Sequence, residues 1–146
     1  MKTQHKTLSE KLAENLLYYT KDPEKRRCID GLGNCKYSGK TIGKDTTVGC
    51  FVGRLLPLEQ RLLLDIEKKG AGVSKAVDYL NEKGYKIPSI IKNNIYLMRD
   101  FQYLHDECYF WYYKGLSGSG LNKLRYIIEK HNLDKSAFEN ILGIKL

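Results

Sequence analysis

No stretch of the 146 residues is apolar for long enough to cross a bilayer: the unbroken apolar runs are a few residues long, such as Leu62 to Leu64, where a spanning helix needs roughly 20. The first residues, Met-Lys-Thr-Gln-His-Lys, lack an apolar core with a small-residue cleavage site, so no secretory signal is expected and a cytoplasmic location is. No two cysteines form a Cys-x-x-Cys pair. Cys28, Cys35, Cys50 and Cys108 stand apart and are expected to stay reduced rather than to form a disulfide framework. Repeats, low-complexity tracts and linkers are also missing, which leaves one domain over residues 1–146.

One motif is nearly present. Tyr37 to Thr47 reads "YSGKTIGKDTT" and contains the Ser-Gly-Lys-Thr that closes a P-loop, but the opening glycine belongs at position 34, which is Asn34; Gly33 is one residue early. The stretch leads into a turn and a second strand instead of opening a helix onto a phosphate, so a nucleoside triphosphate cradle is not expected there. The net charge of +8 and pI near 9.2 nonetheless favour an anionic partner. The lysines are scattered, and charge alone does not choose among nucleic acid, nucleotide and acidic protein.

What the chain has in quantity is helical periodicity. Thr7 and Glu10 form a capping-box pattern ahead of Leu8, Leu12, Leu16 and Tyr19, predicting a helix over 8–20 that Asp22-Pro23 ends. From Ile29 to Gly53 glycines alternate with β-branched and aromatic residues, which predicts a hairpin over about 34–52, with strands near Cys35–Ser38 and Thr47–Val52. Helices are then expected over about 57–69, 73–83, 88–114, 120–131 and 135–142, with Gly70 and Gly84 as stops and Ser119 and Asp134 as caps. The element at 88–114 carries so wide an apolar face that it reads as the central helix. The fold class expected is mainly α, a single helical domain with one short β-hairpin inserted after the first helix.

The densest chemistry is "LHDECYFWYYKG", Leu104 to Gly115. Five consecutive aromatics, Tyr109 to Tyr113, would point all round a helix, so some must face solvent, a pocket or an interface. Aromatic planes stack bases while nearby cations hold phosphates; Arg26, Arg27 and Arg54 flank the predicted hairpin and can supply that charge. The candidate ligand-binding set is therefore Arg26, Arg27, Tyr37, Arg54, His105, Asp106, Tyr109, Trp111 and Tyr112, against the plainer reading of core packing or a dimer interface. No catalytic residues and no cofactor are assigned, and an enzyme is not the better reading. A weaker alternative places zinc on Cys35, Cys50, His105 and Cys108.

With "NCKYSG", "GCFVGRLL", "LHDECYFW" and "GLSGSGLNKL" in view, residues 10 to 130 resemble a group of small uncharacterised proteins of tailed phages and mobile elements with a Cys-x-Tyr…Cys-x-Val-Gly-Arg hairpin. The resemblance implies a setting, antagonism of host defence, rather than an activity. The function expected from it is a dimeric anti-defence binder that sequesters a small anionic nucleotide-derived ligand such as an immune signal. The alternative is a regulator that binds nucleic acid or a defence protein.

Overall fold

A computed structural model describes residues 6–27, 37–38, 49–68 and 71–146. Eight α-helices and one two-stranded sheet are found among the described residues. None of those helices is long and apolar enough to cross a membrane. Helix α1 (Leu8–Lys21) opens on the capping box, with Thr7 accepting from the Glu10 amide while the Glu10 carboxylate accepts from the Thr7 amide. Pro23 starts the single turn α2 (Pro23–Arg26), capped by Asp22.

Most of the predicted early hairpin, residues 34–36 and 39–48, and with it Cys35 and the Gly-Lys-Thr of the near-motif, lies outside the described residues. Its two described pieces are not strands. Tyr37–Ser38 is a bend, and Phe51–Val52 is a turn that leads into a 3₁₀ turn at Gly53–Leu55. Here the glycines serve close packing: a Cβ on Gly49 or Gly53 would lie 2.4 or 2.2 Å from the Tyr37 carbonyl oxygen. The Asp65 carboxylate accepts from the Tyr37 and Ser38 amides, both at 2.8 Å, and so fastens this bend to α3.

Helix α3 (Leu58–Glu67) follows Pro57, and α4 (Val73–Glu82) ends before Gly84, whose φ is +81°. The predicted long helix over 88–114 is divided into three. A single turn, α5 (Ser89–Lys92), stops at Asn93–Asn94, where the Asn94 side chain bonds back to the Ile90 carbonyl at 2.9 Å, the competition with helical backbone that makes Asn a poor interior residue. Helix α6 (Ile95–Asp106) then ends before a 3₁₀ turn at Cys108–Phe110. The aromatic run, which favours extended backbone, forms strand β1 (Trp111–Tyr112), paired antiparallel with β2 (Gly115–Leu116). Gly115 permits the turn with a φ of +143°. The hairpin thus sits near the C-terminus and not after the first helix.

Helix α7 (Gly118–Lys130) is capped by Ser117 rather than Ser119, and α8 (Lys135–Leu142) by Asp134. Helix α8 packs on α1, and α7 on α6. The core centres on Phe101, whose ring stacks on Phe51 at 4.8 Å and on Phe138 at 6.0 Å. Asn15 donates to the Phe51 carbonyl at 2.8 Å, and the Gln102 oxygen accepts from the Val52 amide at 3.0 Å. Helices α1 and α6 therefore hold the segment 49–53 between them.

Candidate functional site

The sequence-predicted residues do not form one site. Arg27, His105, Asp106 and Trp111 come together at the C-terminal end of α6, where Tyr103 accepts the last i→i−4 bond, from the Glu107 amide at 3.2 Å, and the three carbonyls after it lack such a partner. Each finds a side chain instead: Leu104 the Trp111 indole at 2.7 Å, and His105 and Asp106 the Arg27 guanidinium at 2.7 and 2.8 Å. The same guanidinium lies 5.5 Å from the Trp111 ring centroid. Burial pushes Arg27 below its ordinary pKa, against the pull of Asp106. Two of the strongest ligand candidates, a tryptophan and an arginine, thus cap a helix.

His105 is fully buried. Its Nδ1 lies 2.7 Å from the Asp106 carboxylate, which also accepts from the Gln102 amide at 2.7 Å, and its ring packs edge-on to Tyr19 at 4.8 Å. Burial lowers its pKa and Asp106 opposes the shift only in part, which leaves a neutral imidazole inside the core.

Arg26 and Arg54 meet at Tyr18, 4.5 and 3.6 Å from its ring centroid. Arg54 also reaches the Asn15 side chain at 3.3 Å and, with Lys11, Glu14 and Ser89, lines an open cleft of about 490 Å³. Tyr37 is fully buried, and its hydroxyl donates to the Ala71 carbonyl at 2.7 Å. Tyr112 is half-exposed beside Thr20, Lys114 and Leu142. Of the zinc alternative, Cys50 is buried, Cys108 is exposed and His105 faces Asp106. Among the described residues no three His, Cys, Asp or Glu side chains converge as a metal site.

Tyr109, of the predicted set, adjoins an exposed surface on α6 and α7. Its hydroxyl meets that of Tyr103 at 2.6 Å, and this hydrogen bond pushes the Tyr109 phenol up to about 12. On α6, Tyr96, Arg99 and Tyr103 recur at i, i+3, i+7; on α7, Lys123, Tyr126 and Lys130 do the same. All four tyrosines, 96, 103, 109 and 126, are exposed, from 43% for Tyr103 to 73% for Tyr96. The Lys123 ammonium joins the two rows, 5.1 Å from the Tyr103 ring and 4.9 Å from the Tyr126 ring, so those rings are no more than about 10 Å apart. Lys130 stands 5.8 Å from Tyr126, and Arg99 lies 5.9 Å from Tyr96.

One carboxylate sits at the seam. Asp100 accepts from Lys130 at 3.0 Å and from His131 at 2.6 Å, linking α6 to α7. Burial works against its ionisation, but the bonds from His131 and Lys130 outweigh that and hold it below the usual carboxylate range. Sequence reasoning passed over this surface because it looked for aromatics in a consecutive run. The usable signal was the matched tyrosine-and-cation spacing on the polar faces of two helices. Compared with protein-family models, curated proteins and solved structures, the chain gives no match in any of the three.

Proposed function

We propose that the protein is a non-enzymatic nucleic-acid-binding protein that presents the tyrosine and lysine side chains of α6 and α7 to its ligand. The observation that carries the reading is Lys123 within 5.1 and 4.9 Å of two exposed tyrosine rings, one on each helix. A cation that can meet a phosphate, with planes on either side that can meet bases, is the pairing such ligands require. The net charge of +8 favours approach of a polyanion. In the phage-type setting that the resemblance implies, such a binder would cover nucleic acid that a host defence would otherwise recognise.

A second reading keeps the small anionic nucleotide-like ligand and puts it in the cleft of Lys11 and Arg54. Its support is size and charge, since about 490 Å³ lies within the usual range for ligand pockets. One titration separates the two. Labelled oligonucleotides at rising salt should bind the α6–α7 face with affinity that falls steeply as counterions compete, and Lys123→Ala should weaken them. No oligonucleotide binding at low salt, together with a nucleotide retained through purification in native mass spectrometry, would instead establish the cleft.

A further inference from the structure

We infer that the α6–α7 face takes unpaired, single-stranded nucleic acid, with bases stacked on Tyr103 and Tyr126 and a phosphate held by Lys123 between them. The inference rests on the reading proposed above and narrows it. Three features of the surface favour a single strand over a duplex.

The first is width. A major groove about 12 Å wide admits one α-helix, whose diameter with side chains is about 10–12 Å. Here the exposed cations and rings are shared by two helices side by side, fastened at Asp100 by Lys130 and His131. At interaxial distances of about 8–10 Å, such a pair is roughly 20 Å across and does not enter the groove.

The second is the kind of contact on offer. The face is built from tyrosine rings with ammonium and guanidinium groups beside them, and the exposed amide next to them on α7, Asn122, has its oxygen engaged by Arg125. Rings recognise the flat faces of bases, which a duplex hides in its stack and a single strand exposes. Tyr103, Tyr109 and Tyr126 are each about half-exposed; Phe110 packs against the first two, and the Lys123 ammonium over Tyr103 and Tyr126 would swing from the rings to the phosphate as bases stack.

The third is spacing. Nucleotides stacked along a strand advance about 3.4 Å each, so the separation of the Tyr103 and Tyr126 rings, at most about 10 Å, spans up to about three nucleotides with Lys123 in reach of both rings. Arg99 and Tyr96, one and two turns back along α6, extend the same track.

The test uses the full chain and a fluorescein-labelled 12-mer of thymidylate, alone and as its duplex with oligoadenylate, in anisotropy titrations at low and moderate salt. The single strand should bind at least about 10-fold tighter than the duplex. Y103A/Y126A should reduce that affinity by about 10-fold or more, since base stacking on an aromatic is worth at least several-fold per ring. Y103F/Y126F should restore it, because a phenyl ring stacks as well and only the hydroxyls are gone. Far-ultraviolet circular dichroism and the emission of buried Trp111 check that the variants keep the fold. Equal or tighter duplex binding, or a double alanine variant that binds like the parent, overturns the inference. If both strands bind alike and Lys123→Ala weakens both, the broader proposal of nucleic-acid binding stands and this one falls. If neither binds, both fall. A parent dimer that Y103A/Y126A dissociates assigns the face to a second copy of the chain and also overturns it.

Discussion

Arg27 supports two incompatible expectations, and one substitution decides between them. As a ligand contact, its removal would abolish binding and leave stability alone. As the cap of α6, its removal strips the last two carbonyls of that helix of donors 2.7 and 2.8 Å away and uncovers the Trp111 ring. A hydrogen bond from a charged donor contributes about 1.5–3 kcal/mol net, and a cation at a helix C-terminus adds about 0.3–1 kcal/mol. Because Arg27 is only half-buried, solvent screens part of this, and about 3 kcal/mol is the expected loss for Arg27→Ala. Arg27→Lys keeps the charge but cannot span two carbonyls with a planar fork, so about half that loss is expected.

In a chain of this length each kcal/mol moves Tm by roughly 3 °C, so Arg27→Ala should melt about 9 °C lower. Urea titrations followed by Trp111 fluorescence measure the same quantity independently, and the midpoint should shift with an unchanged m-value. Oligonucleotide affinity, measured below the new midpoint, should stay at the parent value. An Arg27→Ala protein within about 0.5 kcal/mol of the parent, or one that loses binding while remaining as stable, would show that the capping argument is wrong and that the guanidinium serves a ligand.

Two further outcomes follow from groups whose titration the fold alters. Asp100→Asn should release Lys130 from its carboxylate and strengthen single-strand binding, with the slope of log affinity against log salt steepening by about 0.7; the same variant should lose about 1 kcal/mol because the seam between α6 and α7 is weakened, and an unchanged slope in the titration would refute the competition. The second is a pH dependence. Since burial lowers the His105 pKa, the unfolded chain binds more protons than the folded one just below the ordinary imidazole value of about 6.5. The resulting stability is complete above that value and is lost as pH falls toward the depressed one; urea midpoints measured from about pH 7.5 to 5 should decline in the parent and much less in His105→Gln.

How much of this the sequence disclosed depended on whether a signal was local. The capping box of Thr7 and Glu10, the Asp134 cap and the stop at Gly84 are contained in a few residues each, and they could be read directly. The division of 88–114 was hidden because its apolar face runs continuously past Asn93–Asn94, and only the Asn94 side chain's bond to Ile90 marks the break. The glycines at 49 and 53 read as part of a hairpin, with Gly49 inside its second strand, yet they answer to the Tyr37 carbonyl, a neighbour brought near by tertiary packing and invisible in the local pattern. Tyr37 itself was assigned to a ligand, whereas its fully buried ring and its bond to Ala71 place it in the core.

The candidate site was misread for a related reason. An arginine beside a tryptophan is equally suited to hold a phosphate and a base, or to close the end of a helix, because orphan carbonyls ask for the same donors and the same cation as an anion does. What separates the two uses is where the helix stops. Had α6 continued to Lys114, Trp111 would have been a helical residue one turn further on and the carbonyls of residues 103–106 would have been satisfied within the helix, leaving Arg27 without that task. Because it ends at Asp106, the last three of those acceptors must be met from outside the helix, and Trp111 and Arg27 meet them. Apart from Tyr109, Tyr112 and Tyr113, the exposed aromatics among the described residues are then Tyr96, Tyr103 and Tyr126 on the solvent sides of α6 and α7, with Lys123 and Lys130 beside Tyr126. That division of labour moves the search for a ligand from the longest run of aromatics to the surface shared by two helices.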